Sequence, residues 1–116
     1  MTATKHQVQL FLREFKMAAG KGTGIDFAGR DKNWDTLACL NMTTVMRNDL
    51  VLGLTWKDYC QGPMEDDSGR PGEVWVFGVS VLGLEVYIKL KLVKSSHPKC
   101  ISFHKAEYPL EYPFRS

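Results

Sequence analysis

The sequence predicts an α+β domain, with N-terminal helices packed on a C-terminal antiparallel sheet of about three strands. Two observations lead there. Apolar residues recur at helical spacing through the first half of the chain, and from Glu73 onward the period changes to two. Helical and strand patterns are segregated rather than interleaved, which favours α+β over a parallel α/β arrangement. At 116 residues the chain makes one domain, 1–116, and a chain of that size buries roughly two thirds of its unfolded surface without staples.

The first predicted element is a helix over Lys5–Ala19. Val8, Phe11, Leu12, Phe15 and Ala19 follow the i, i+3, i+4, i+7 spacing, while Lys5, Arg13, Glu14 and Lys16 fall off that stripe. Gly20-Lys21-Gly22-Thr23-Gly24 then stops it. This run lacks the strand before it and the Lys-Ser/Thr after it that a phosphate loop requires, so it reads as a linker. Asn33 is placed to cap a helix over Trp34–Leu40 that buries Trp34, Leu37 and Leu40. Thr43 or Thr44 is placed to cap Val45–Leu54, with Met46, Leu50 and Leu54 inward. Thr55-Trp56-Lys57-Asp58 has the form of a capping box and predicts a further short turn.

Gln61–Gly72 is rich in Gly, Pro, Asp and Ser and reads as a loop. Beyond it, Glu73–Val81 and Leu84–Val93 flank Leu82-Gly83 as a β-hairpin with a tight turn. A loop at Lys94–Lys99 leads to a third strand, Cys100–Lys105. The prolines of Tyr108–Phe114 exclude a helix or a central strand, and the aromatic residues of this tail are expected to pack against the body.

Composition narrows the function classes. The one long apolar stretch, Val79–Val93, is broken by Glu85, Lys89 and Lys91, short of the ~18 residues of a membrane span. Met1–His6 has no apolar leader, so the expected location is cytoplasmic and no membrane partner is expected. Cys39, Cys60 and Cys100 are odd in number and widely spaced, which argues against a disulfide framework or a structural zinc site. Cys39 and Cys100 read as small buried residues. No spaced ligand completes a metal site with Glu65-Asp66-Asp67, which reads as a solvated loop; neither metal nor cofactor is expected. The net charge of +2 hides a split: residues 1–30 and 85–105 are basic, and residues 58–73 are acidic. A locally positive surface facing a polyanion is compatible with such an average, and so is mixed charge kept for solubility.

If Leu82-Gly83 form the turn, Val79 faces Val86, Phe77 faces Ile88 and Trp75 faces Leu90 on an apolar core face. The opposite face then carries Tyr87, Lys89 and Lys91. Ile101 and Phe103 should join the core, leaving Ser102 and His104 on the open face. Metal-free RNA cleavage needs such groups: a base for the ribose 2′-OH, an acid for the leaving oxygen, and cations for the phosphoryl charge. Imidazole suits acid or base work near neutral pH. Tyr87, His104 and Lys89 are therefore the candidate catalytic residues, and Lys91, Gln61 and Lys105 the candidate RNA-binding ones. Lysine and tyrosine on an exposed sheet face are also commonly just solvated.

Leu54-Thr55-Trp56-Lys57-Asp58-Tyr59, Gly62-Pro63, Trp75-Val76-Phe77-Gly78, Glu85-Val86-Tyr87-Ile88-Lys89, Ile101–Glu107 and Tyr112-Pro113-Phe114 occur in this order. Over about residues 44–114, this series resembles the MqsR family of toxins. The resemblance implies a RelE-like fold and a metal-independent mRNA endonuclease neutralised by a cognate antitoxin protein. It aligns Tyr87 with the family's functional tyrosine. His104 falls where the family has a functional lysine, Gln61 lies near another lysine position, and Val76 replaces a glutamine. The alternatives are a non-catalytic RNA- or protein-binding module with the same fold, or a relative that only pairs with a protein through a sheet edge. The sequence leaves the oligomeric state open.

Overall fold

The hairpin and the first helix form where the sequence places them. A computed structural model describes residues 2–21 and 24–115; Met1, Gly22, Thr23 and Ser116 lie outside it, and with them part of the glycine linker. In chain order the elements are α1 (Lys5–Ala19), β1 (Asp26–Phe27), α2 (Asp31–Cys39), α3 (Thr44–Leu52), a 3₁₀ turn (Trp56–Asp58), β2 (Tyr59–Glu65), β3 (Glu73–Val81), β4 (Leu84–Val93) and β5 (His97–Lys105). The class is α+β, but the sheet has five strands rather than three, and β1 falls between α1 and α2, so the chain is not helices first and sheet after. The strand order is β1-β5-β4-β3-β2, and β1 runs parallel to β5 while the other neighbours are antiparallel.

Local chemistry explains the elements. A capping box between Thr4 and Gln7 starts α1, and Gly20 ends it. Leu82 and Gly83 both have positive φ, +51° and +80°, as the two-residue turn between β3 and β4 demands. Thr43 caps α3 through the Met46 amide, and the Asp58 carboxylate accepts from the Thr55 amide.

The core lies between the helices and one sheet face. Val8, Phe11, Leu12 and Phe15 of α1 meet Trp75, Phe77, Ile88 and Leu90, and the Phe11 ring stacks on Trp75 with centroids 4.6 Å apart. Each such apolar side chain contributes about 1.5–3 kcal/mol on burial. The Tyr59 hydroxyl, fully buried, donates to the Gly62 carbonyl and accepts from the Ala3 amide, tying the N-terminal segment to β2.

Several expectations are corrected. Gln61–Gly72 is not all loop, because residues up to Glu65 belong to β2, an edge strand that can accommodate Pro63. The third predicted strand begins earlier, at His97. Helix α2 begins at Asp31, so Asn33 lies inside it rather than capping it, and Trp34 is half exposed. On α3 Arg47 and Val51 are buried and Met46 is half exposed, while Leu50 packs against the core and Leu54, just past the helix, is buried as expected. The flat guanidinium of Arg47 lies 3.8 Å from the Phe27 ring centroid, which lets a charged residue take an apolar position. Cys39 is exposed, whereas Cys100 is buried.

Among the described residues, no strand lies beside the outer edge of β5 past Cys100; side chains of α2 take that place. The Asn33 Nδ2 donates to the carbonyls of Ala28 and Ile101, its Oδ1 accepts from the Phe103 amide, and the Thr36 hydroxyl accepts from the Lys105 amide. This accounts for the burial of two polar residues in α2 and closes an edge that would otherwise template pairing with another chain.

Candidate functional site

The sheet face turned away from the helices carries the candidate residues in cross-strand rows. One row contains Gly78, Tyr87 and His104; the next contains Gln61, Val76, Lys89 and Ser102. Neighbours within a row stand about 5 Å apart and successive rows about 7 Å. The Tyr87 and His104 rings stack with centroids 5.3 Å apart and an interplanar angle of 18°. The Lys89 Nζ lies 5.9 Å from the centre of the Tyr87 ring.

These groups open into a cleft of about 680 Å³ that contains Gln61, Tyr87, Lys89, Ser102 and His104. The C-terminal tail forms one wall. Its Leu110 amide and Tyr112 hydroxyl both donate to the Glu85 carboxylate, at 2.8 and 3.0 Å. Phe114 packs on Trp56 and Tyr59, and Arg115 pairs with Asp58. Gly78 makes this wall possible, because a methyl group there would fall 2.5 Å from both Leu110 Cδ1 and the Tyr112 oxygen. Tyr112 and Phe114 pack as expected of the tail, but Tyr108 is 80% exposed at the mouth of the cleft.

The chemistry available follows from the surroundings. His104 Nδ1 lies 2.9 Å from the Lys105 carbonyl, which can only accept, so Nδ1 carries a proton and Nε2 is the free nitrogen. Burial, with the nearby Asp67 carboxylate, raises the Tyr87 hydroxyl above its ordinary value, and it stays a donor. The Cys60 thiol, also in the cleft, is pushed up to about 12, chiefly by burial, with the Glu85 charge adding to it. It is not a thiolate nucleophile at neutral pH. Lys89 is only weakly engaged, 3.7 Å from an Asp67 carboxylate that is itself almost fully exposed.

Two of the RNA-binding candidates are not brought to this cleft. The Lys91 Nζ donates to Asp66 at 2.7 Å, and both side chains are nearly buried. The acidic run is thus not simply solvated, because Asp66 and Asp67 fold back on Lys91 and Lys89. Lys105 sits opposite Val86, in register with the core face, and is exposed away from the cleft beside Leu84 and Glu85. Sequence reasoning in turn missed Arg30, which enters the cleft from the segment between β1 and α2, and the Lys32–Glu107 pair at its rim. Neither belongs to a local pattern that could have revealed it.

The hydrogen bond from Lys91, helped by Ser68, holds the Asp66 carboxyl well below the usual carboxylate range. A depressed folded-state value means that the stabilisation is present above the unfolded carboxylate value of about 4 and is lost as pH falls below it. Asp66→Asn is expected to cost about 2 kcal/mol at pH 7, between the values for exposed and fully buried pairs. In urea titrations the gap from wild type should narrow at pH 3; a gap independent of pH would mean that the pair contributes nothing.

No known family, curated protein or solved structure matches this chain. Among the described residues, no helix is long and apolar enough to cross a membrane.

Proposed function

We propose that the chain is a metal-independent RNA endonuclease of RelE-like fold, related to the MqsR toxins. In this reading it acts in the cytoplasm and is held inactive by a cognate antitoxin protein. The observation that carries the reading is the gathering of Tyr87, Lys89 and His104 in one cleft with room for a nucleotide. The resemblance of residues 44–114 to those toxins supports it from the sequence side.

The geometry supports the following roles. His104 Nε2 accepts the proton of a ribose 2′-OH, and the 2′-oxygen attacks the adjacent phosphorus. The bond from phosphorus to the 5′-oxygen breaks, leaving a 2′,3′-cyclic phosphate. The Tyr87 hydroxyl, kept protonated by its surroundings, donates its proton to the departing 5′-oxygen. The Lys89 ammonium offsets the charge that builds on the phosphoryl oxygens. Tyr108 offers an exposed ring on which a base can stack.

Purified protein should cleave single-stranded RNA in the presence of EDTA and leave 2′,3′-cyclic phosphate ends. Intact RNA in the presence of folded protein would overturn the proposal. The locking of Lys91 by Asp66 favours a second reading, a binding module without the chemistry. That reading expects RNA retention without cleavage, weakening as salt rises.

A further inference from the structure

Strand β5 carries one residue more than β4 allows. Lys89 pairs with Ser102 and Leu90 pairs with Cys100, so Ile101 is left without a partner. Simple alternation would send Ile101 into the core and Cys100 outward. The bulge reverses both: Cys100 is 1% exposed within the core, and Ile101 is half-buried on the outer face. Asn33 holds the bulge by donating to the Ile101 carbonyl at 3.1 Å.

The side chain turned out in this way belongs to a second cleft of about 640 Å³. Ile101, Val93 and Ala28 supply apolar surface, and Arg30, Arg70 and Lys99 supply cations. None of these three cations forms an ion pair among the described residues. The two clefts share Arg30, Asp67 and Lys89, so they adjoin along the same sheet face. Apolar surface edged by arginine and lysine suits a nucleotide, whose base lies on the former while its phosphate meets the latter.

We infer that the second cleft is a subsite for a nucleotide flanking the phosphate held at Tyr87, Lys89 and His104. The inference rests on the nucleic-acid reading of the first cleft and adds where the strand continues: past Lys89, over Ile101, toward Lys99 and Arg70. An acidic peptide would meet the same cations, but continuity with the first cleft favours a single strand running through both. Asp67, at the junction, must swing away from Lys89 for the strand to pass, and its 94% exposure leaves it free to do so.

The test uses 2′-O-methyl RNA, which lacks the nucleophile and reports binding whether or not the protein cleaves. Fluorescence anisotropy with a dinucleotide and a hexanucleotide should show the hexamer binding at least about ten-fold tighter to the wild type. Ile101→Asp should remove most of that gain and leave dinucleotide affinity within about two-fold. Because an aspartate beside the bulge could perturb folding, Arg70→Glu, at an exposed loop position, provides a second reading and should weaken hexamer binding selectively. Length-independent wild-type affinity, or wild-type hexamer binding by both variants, would overturn the subsite. So would capture of poly-glutamate at this cleft that RNA does not displace. If cleavage fails but the length dependence and its loss in the variants hold, the chemistry falls and the subsite stands. If cleavage occurs without length dependence, the reverse is true.

Discussion

His104→Ala is expected to lower kcat/KM for RNA cleavage by about 10²- to 10⁴-fold, the range for loss of a positioned general base, with little change in thermal stability. The imidazole lines the cleft and stacks on Tyr87, its Nδ1 is committed to the Lys105 carbonyl, and among the described residues no hydrogen-bond partner meets Nε2. Removing the ring therefore deletes the proton acceptor and little packing. A loss that falls on kcat while RNA affinity is kept separates this role from a structural one. Tyr87→Phe keeps the stack under His104 and removes only the hydroxyl, and should cost about 10²-fold through loss of the proton donor to the leaving oxygen. Full cleavage by both variants would remove the site from this face even if the protein proves to be a nuclease.

The parts of this site that lie on the hairpin were legible before any coordinates. A two-residue turn sets the register of every pair in an antiparallel ribbon, so placing Leu82-Gly83 at the turn also placed Tyr87 opposite Gly78 and Lys89 opposite Val76. The same alternation put Ser102 and His104 beside them. It failed just before Ser102, at Ile101, because a bulge is set by what the backbone meets in three dimensions and leaves no local trace in the sequence. Arg47 misled for a related reason. A helical stripe is read from apolar residues, and a guanidinium lying flat on Phe27 satisfies the core without being one. Strand β2 was hidden by Gly62 and Pro63, residues that mark turns in sequence but are tolerated on an edge strand. Lys91 was rightly placed on the outer face, yet Asp66 closes over it from a loop whose path no periodicity describes.

Asn33→Ala should lower stability by about 3 kcal/mol, and with it Tm by about 10 °C for a domain of this size. Three hydrogen bonds end at this 2%-exposed side chain, and their loss strands the Ile101 carbonyl and the Phe103 amide on the edge of β5 and the Ala28 carbonyl just past β1. Asn33→Asp is the sharper probe. It has nearly the same shape and can still accept from the Phe103 amide, but it turns a carboxylate oxygen toward two carbonyl oxygens. At neutral pH it is expected to be at least as damaging as alanine. Acidification should restore part of the loss, because a protonated carboxyl can donate to one of those carbonyls. Urea titrations at pH 7 and pH 5 read the difference; equal losses for Asp and Ala at both would mean that Asn33 acts by filling space. His104 lies three residues beyond Ile101 on the same strand, so the alanine variant should also lose cleavage activity at temperatures where it is still folded. Activity that tracks the folded fraction alone would show that the bulge and the catalytic row are mechanically independent.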